Sequence, residues 1–312
     1  MKLGKMKLLE HTEDYREHAG ESVVTIGVFD GVHRGHQAII AECVRESKIR
    51  AIRAVVLTFE RNPREIVCDE SPCIITAPKR KLDILEELGV EFTISVRFSR
   101  DFAALQPAEF CEKVLVEQLG ARMVCVGENF HFGEGGRGNT LMLKSEGKRL
   151  GFEVRTVPLV TIDDLGQVSS TLIRGLIIEG RARDVMRGLG RPYTVTGKVV
   201  VGHSRGKRLG FPTANLALER DFCVPPDGVY AGKTKLRHKE YVCAINIGSN
   251  PTFGDSETAL EVFLLDFVGD IYGKSLEIEF HQRLREEKAF TSEKELVRQM
   301  NKDVAKARVL LG

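Results

Sequence analysis

Apolar residues recur along this chain in two rhythms. In the first half, short apolar runs at Ser22–Phe29, Ala51–Phe59, Val90–Val96, Ala121–Val126 and Phe152–Pro158 predict strands. Between them, helical spacing predicts helices over about Gly35–Ser47, Pro78–Leu88, Pro107–Leu119 and Thr140–Arg149, with Pro107 where a first helical residue can be proline. Near-continuous apolar strands alternating with helices predict a parallel, doubly wound sheet, a Rossmann-like α/β domain. Two short helices are predicted at roughly Thr171–Glu179 and Ala182–Leu189. Past Arg191-Pro192 the rhythm shortens: "YTVTGKVVVG", "GVYAGKTKL", "EYVCAINIG", "ALEVFLLDF" and "SLEIEFHQRL" follow one another with only turns between. That spacing predicts an all-β domain, an antiparallel barrel or sandwich. The closing "TSEKELVRQMNKDVAKARVLL" predicts a terminal helix, with Ser292 and Glu295 as a capping box and Leu296, Met300 and Val304 on one face. The change of rhythm near Gly188–Pro192 sets two domains, 1–188 and 189–312.

Composition narrows the class. The chain has 312 residues, 42% hydrophobic and 29% charged, as expected of two globular domains with packed cores. No apolar run approaches the roughly 18–20 residues of a membrane span, and acidic residues interrupt the N-terminal stretch before a signal-peptide core forms. Seven cysteines, scattered without a C-x-x-C, suggest reduced thiols in a cytoplasmic protein rather than a disulfide framework. A net charge of +2 gives no electrostatic case for nucleic acid. The expected partners are small molecules, without nucleic acid or membrane. Oligomeric state is not legible.

Chemistry concentrates first in "GVFDGVHRGH", where the first predicted strand hands over to a helix. Backbone N–H groups at such a helix start are unpaired, and the helix dipole favours an anion. Gly31 and Gly35 permit close backbone approach, and His33 and His36 can donate to phosphate oxygens. A metal site and an ordinary glycine turn are the competing readings. The first lacks the i, i+4 histidine spacing and clear further ligands. "VGENFHFGEGGRGNT" follows another strand; its Phe130 and Phe132 argue against a merely solvated loop. "SSTLIRG" sets hydroxyls at a helix start with Arg174 one turn on, although capping explains any single serine.

In this order, these three elements resemble the nucleotidyltransferase half of the bacterial bifunctional riboflavin kinase/FMN adenylyltransferases, the FAD synthetases. The resemblance implies that His33, His36, Ser169, Ser170, Thr171 and Arg174 handle the ATP phosphates. It further implies that Gly27, Phe29, Gly31 and Gly35 belong to the ATP- and flavin-binding residues, with Asn129 a weaker candidate contact to nucleotide or flavin. An FMN phosphate oxygen would attack the α-phosphorus of ATP and release pyrophosphate, so the protein supplies alignment and charge neutralisation, with Mg²⁺ assisting. One departure stands out: the family's Pro-His-Pro after its second strand reads Arg61-Asn62-Pro63 here.

The second candidate, "GKVVVGHSRGKRLGFPTANL", is not a Walker A loop. Taken alone, it also reads as a hairpin with a solvated basic tip. With "PPDGVYAG", "NIGSNPTFG" and "ALEVFLLDF" it resembles the riboflavin kinase domain of the same family. That implies Gly202, Arg205, Gly206 and Gly210 over the nucleotide, Thr213 and Asn215 on Mg²⁺–ATP, and Glu261 as the base for the ribityl 5′-hydroxyl. An outward-facing strand carboxylate is the plain alternative for Glu261. Many family members have His where this chain has Phe263. The expected function is conversion of riboflavin to FMN and of FMN to FAD. The alternatives are a kinase with a weakened adenylyltransferase and a non-catalytic flavin- or nucleotide-binding regulator.

Overall fold

A computed structural model describes residues 5–18, 20–67, 71–201, 210–218, 221–249 and 258–312. The chain divides into two compact units, Met1–Pro72 with Pro78–Ser169, and Cys73–Ala77 with Ser170–Gly312.

The first unit is built on strands β1 (Lys7–Leu9), β2 (Ser22–Ile26), β3 (Arg53–Phe59), β4 (Phe92–Val96), β5 (Ala121–Gly127) and β8 (Glu153–Val157); small hairpins are made by β6 (His131–Phe132) with β7 (Gly138–Asn139), and by β9 (Thr161–Ile162) with β10 (Gly166–Gln167). The six long-range strands lie in the order β1-β4-β3-β2-β5-β8, every pair parallel. Strand residues alternate between two cores. Val24, Ile26, Val55, Leu57, Val124 and Val126 face Phe110, Val114, Leu115 and Leu143. Val23, Ala54, Val56, Met123 and Cys125 face Ile40, Cys43, Val44, Ile84 and Leu85. Burial on both faces is why the strands read as unbroken apolar runs. The edge strand β1 was not legible, because three residues, two of them exposed, carry no periodic signal. The expected Pro107 helix forms as Pro107–Glu109 and continues as a π-helix over Phe110–Gln118.

In the second unit β11 (Tyr193–Val200), β12 (Thr213–Leu218), β13 (Gly228–Leu236), β14 (Lys239–Ser249), β15 (Thr258–Leu264) and β16 (Ser275–Glu286) close into an antiparallel barrel of order β11-β12-β15-β14-β13-β16. The barrel, not the sandwich, is the architecture. Val195, Leu216, Ile245, Val262, Ile278 and Phe280 belong to its buried apolar set. At Gly232 a Cβ would strike the Glu279 carbonyl and Ile245, so only glycine lets β13 and β16 approach there. The helices Ser170–Ile178 and Ala182–Leu189 precede the barrel, and the second packs on β11 and β16. The terminal helix Glu293–Leu311 begins at the expected N-cap: Ser292 accepts the Glu295 N–H, but Glu295 reaches back to the N–H and hydroxyl of Thr291 rather than to the Ser292 N–H, so only the first half of the expected capping box forms. The helix's buried residues are Ala307 and the polar Asp303. Asp303 accepts from Arg285 Nε of β16 and from Gln299 Nε2, both at 2.9 Å, while Leu296, Met300 and Val304 are half-buried.

One expectation is corrected. Cys73 and Cys223, 150 residues apart, form a disulfide within the second unit. Beside it Ile74 pairs with Phe222 as a parallel bridge, its N–H donating to Asp221 O at 2.9 Å. Two single cysteines this far apart leave no spacing signature; the fold alone brings them together. Cys43, Cys111, Cys125 and Cys243 remain free, buried thiols. Among the described residues, no helix is long and apolar enough to cross a membrane.

Candidate functional site

β2 leads to β3 and β4 on one side of the sheet, whereas β5 and β8 lie on the other. The loops leaving the carboxyl ends of β2 and β5 therefore diverge at a topological switch point, where open α/β sheets bind ligands. "GVFDGVHRGH" is the first of those loops and "VGENFHFGEGGRGNT" the second.

The first loop is tightly built. Phe29, Gly31 and Val32 all take left-handed backbone, at φ 51°, 85° and 36°. For two non-glycine residues this is a strained conformation, of the kind concentrated at functional sites. The Phe29 ring is buried against Gly27, where a Cβ would sit 3.0 Å from it, and meets His36 edge to face at 5.1 Å. A Cβ on Gly35 would lie 3.1 Å from His33 Cε1. Gly27 and Gly35 thus clear space for aromatic rings, which the sequence alone did not show.

His33 is the N-cap of the Arg34–Arg50 helix, its Nδ1 accepting the His36 N–H at 3.3 Å. An accepting Nδ1 places the ring proton of neutral His33 on Nε2, leaving that nitrogen as its donor. The two imidazoles stack with centroids 3.6 Å apart. Burial, then His33 and Lys81, hold His36 well below the usual histidine pKa. His36 is therefore neutral at pH 7 and acts as a hydrogen-bonding group rather than a cation. Its Nδ1 is buried and has no partner among the described residues, an open polar atom at the switch point.

In the second loop, Asn129 Oδ1 lies 3.2 Å from the Cβ position of Gly127, and the same position is 3.4 Å from Ile39 of the Arg34–Arg50 helix. Phe130 stacks on the buried Phe132, anchoring the loop to the core. The carbonyl of Val168, which leads into "SSTLIR", is 3.5 Å from the Cβ position of Gly35. Ser169 ends the first unit here, and Ser170 begins the helix that carries Thr171 and Arg174. Arg174 donates from Nε to Cys73 O at 2.8 Å, a contact within the second unit. The Arg61-Asn62 departure also has a local account. Asn62 Oδ1 accepts the Arg64 N–H at 3.1 Å, and Glu65 Oε1 accepts the Asn62 N–H, so Asn62 starts the short Arg64–Val67 helix.

On the barrel, register aligns the second constellation. Asn215 on β12 stands opposite Glu261 on β15, and Glu261 stands opposite Asn246 on β14. Directly opposed residues share a face, so these three polar residues form one row across three strands. Leu216, Ile245, Ile247, Leu260 and Val262 alternate with them and are buried. The next row pairs Thr213 with Phe263 and Phe263 with Ala244. Phe263 meets the buried Phe211 ring edge to face at 5.4 Å. Gly210, at φ 83°, turns the chain into "FPTAN". The Thr213 hydroxyl and the Asn215 carboxamide, two positions apart on β12, are hard oxygen donors of the kind Mg²⁺ accepts alongside water and nucleotide phosphates. Gly202, Arg205 and Gly206 lie outside the described residues.

Two residues of these sites escaped the sequence reading. Asn246 was hidden in "AINIG", where only register pairs it with Glu261. Lys81 left a signal that could have been used, being a lysine on the apolar face, with Ile84 and Leu85, of the Pro78–Glu87 helix.

Known protein families match both parts of the chain. The family described as FAD synthetase matches residues 15–172, and that described as riboflavin kinase matches residues 189–311. Curated bifunctional riboflavin kinase/FMN adenylyltransferases resemble the chain along nearly its whole length. That of Pseudomonas fluorescens is 38% identical and that of Escherichia coli K12 35%, each covering 98% of both chains. The Bacillus subtilis protein is 34% identical, over 94% of this chain and 93% of its own. A solved Streptococcus pneumoniae chain, described as a macrolide-efflux protein, superposes with a TM-score of 0.87 at 30% identity, covering 98% of this chain and 99% of its own. With a switch-point turn on a parallel sheet, a polar row on a closed barrel and these relatives end to end, the chain belongs to the bifunctional riboflavin kinase/FMN adenylyltransferase family.

Proposed function

We propose that this enzyme carries out its two ATP-dependent reactions at two separate sets of side chains, in functional domains 1–188 and 189–312. In the second, the riboflavin 5′-hydroxyl attacks the γ-phosphorus of ATP, ADP leaves and FMN forms. Glu261 takes the hydroxyl proton, and Thr213 and Asn215 hold the metal–nucleotide, with Gly202, Arg205, Gly206 and Gly210 along the phosphates. Mg²⁺, when bound, supplies neutralisation of phosphate charge. In the first domain an FMN phosphate oxygen attacks the α-phosphorus of a second ATP and pyrophosphate leaves. His33 and His36 donate to the phosphates, His36 as a neutral imidazole, beside a helix N-terminus that favours anions. Ser169, Ser170, Thr171 and Arg174 take the leaving pyrophosphate, and Asn129 contacts nucleotide or flavin. The partners on this reading are riboflavin, FMN, FAD and ATP, without nucleic acid or membrane. The location proposed is the cytoplasm, where ATP is supplied and where the Cys73–Cys223 bond is an exception to the usual reduced state of thiols.

One observation carries the reading: a single chain holds both the His33–His36 stack at a sheet switch point and the Asn215–Glu261–Asn246 row on a closed barrel. A kinase with a failed adenylyltransferase would have no need to keep the first. The test is to incubate the protein with riboflavin and Mg-ATP and separate the flavins. FMN followed by FAD is expected; FMN alone would leave only a kinase, and unchanged riboflavin a binding protein.

A further inference from the structure

Lys81 is nine-tenths buried behind the first site. Its Nζ lies 3.1 Å from Phe59 O, 3.3 Å from Thr58 Oγ1 and 3.4 Å from Val28 O. The Thr58 hydroxyl donates to the same Val28 carbonyl at 3.1 Å, so its lone pairs are turned toward the ammonium. An ammonium has three N–H groups, and three oxygens surround this one. They belong to the ends of β2 and β3, and Val28 directly precedes the left-handed Phe29 that packs on His36.

We infer that Lys81 is a positioning residue for adenylyl transfer: its buried ammonium ties the carboxyl ends of β2 and β3 together and so fixes the turn that presents His33 and His36. Buried charge is costly unless paired and hydrogen-bonded, so a lysine here needs a reason. A leucine would serve packing against Ile84 and Leu85 alone. The ionisable groups acting at the site support the reading. Asp30, in the turn after β2, favours the charged lysine, while the lysine opposes charging of His36 on the facing helix. From β3, Lys81 meets only a hydroxyl and a carbonyl. Burial, partly offset by Asp30, brings the Lys81 pKa down to about 8. The protonated form makes the three contacts, so the tie weakens as pH rises through that value. Lys81's own contribution to folding changes the other way. Between its folded pKa and its ordinary 10.5 the unfolded chain holds the extra proton, so stability rises with pH there. A loss of activity in this window is therefore not a loss of fold through Lys81.

The inference rests on the assignment of His33 and His36 to ATP, and the experiment separates the two. For the full chain, kcat/KM for ATP in FMN adenylylation is measured from pH 6.5 to 9.5, beside riboflavin phosphorylation as an internal control; kcat/KM reports ionisations of the free enzyme. The wild type is expected to lose adenylylation above about pH 8. Lys81→Met should lower it roughly 10²-fold, as small misplacements of reacting groups do, and should flatten the alkaline limb while leaving phosphorylation unchanged. Thr58→Val removes one oxygen from the charged form and should move the limb to lower pH. This milder variant, with the wild-type profile, decides the matter if Lys81→Met does not fold by circular dichroism. A wild type without the limb, a Thr58→Val limb that does not move, or a Lys81→Met enzyme with wild-type adenylylation would overturn the inference. If His36→Ala leaves FAD formation intact, the site assignment itself has failed. If His36→Ala blocks it while Lys81→Met does not, only the role of Lys81 has.

Discussion

At the scale of single residues, the two sites rely on different chemistry. His36 is neutral because burial, with His33 and Lys81 beside it, opposes its charged form, so on the proposed reading its contribution is a directed hydrogen bond. Loss of one such donor costs about 10²–10³ in rate. His36→Ala should therefore reduce FAD formation from FMN by that factor, with riboflavin phosphorylation unchanged, as read by flavin chromatography. Glu261 stands between Asn215 and Asn246 on an outward-facing row. General-base catalysis contributes about 10²–10⁴-fold, so Glu261→Gln should lose that much kinase rate with near-normal ATP affinity. Measured by steady-state kinetics, a parallel loss of ATP affinity would instead make Glu261 part of the metal–nucleotide site.

At the scale of elements, the strand–turn–helix after β2 shows how local geometry serves chemistry. Gly35 occupies the first turn of the Arg34–Arg50 helix and lacks positive φ, so alanine suits its backbone. Gly→Ala at a compatible position stabilises by about 0.4–1 kcal/mol. The added Cβ would meet the His33 ring at 3.1 Å and push it from its capping position. Gly35→Ala is thus expected to leave Tm unchanged or slightly raised while cutting adenylylation about tenfold or more. Calorimetry and the FAD assay on the same preparation check both signs. The histidine pattern of this turn was legible in the sequence, as was its place between strand and helix. The buried Phe29 ring that makes Gly27 necessary was not, because nothing in a string of residues shows which ring fills which gap.

At the scale of the whole molecule, Cys73–Cys223 closes a loop of 150 residues and joins the segment Cys73–Ala77 to the second unit. Long closed loops restrict the unfolded chain most, and such bonds typically contribute about 2–4 kcal/mol. The Cys73→Ser/Cys223→Ser double variant, or the reduced wild type, should unfold at lower temperature in a thermal melt while retaining both activities at 25 °C. An unchanged Tm on reduction would mean that the Ile74–Phe222 bridge and its hydrogen bonds already hold the segment.

The sequence by itself determined the two fold classes, because burial on both faces of a parallel sheet and on one face of a barrel strand leaves different apolar rhythms. It also placed His33 and His36 where a strand hands over to a helix, Arg174 on a helix and Glu261 on a strand, because glycine-rich turns, capping hydroxyls and apolar alternation are local features of the chain, whereas the strand that carries Asn215 was not among the predicted runs. Tertiary structure alone decided the strand order that makes β2 and β5 a switch point, and the register that sets Asn246 beside Glu261. It alone paired Cys73 with Cys223 and buried Lys81 under Val28, Thr58 and Phe59. Those facts depend on contacts between residues tens to hundreds of positions apart, which pattern along the chain does not encode. They arise only when packing chooses one arrangement of the elements.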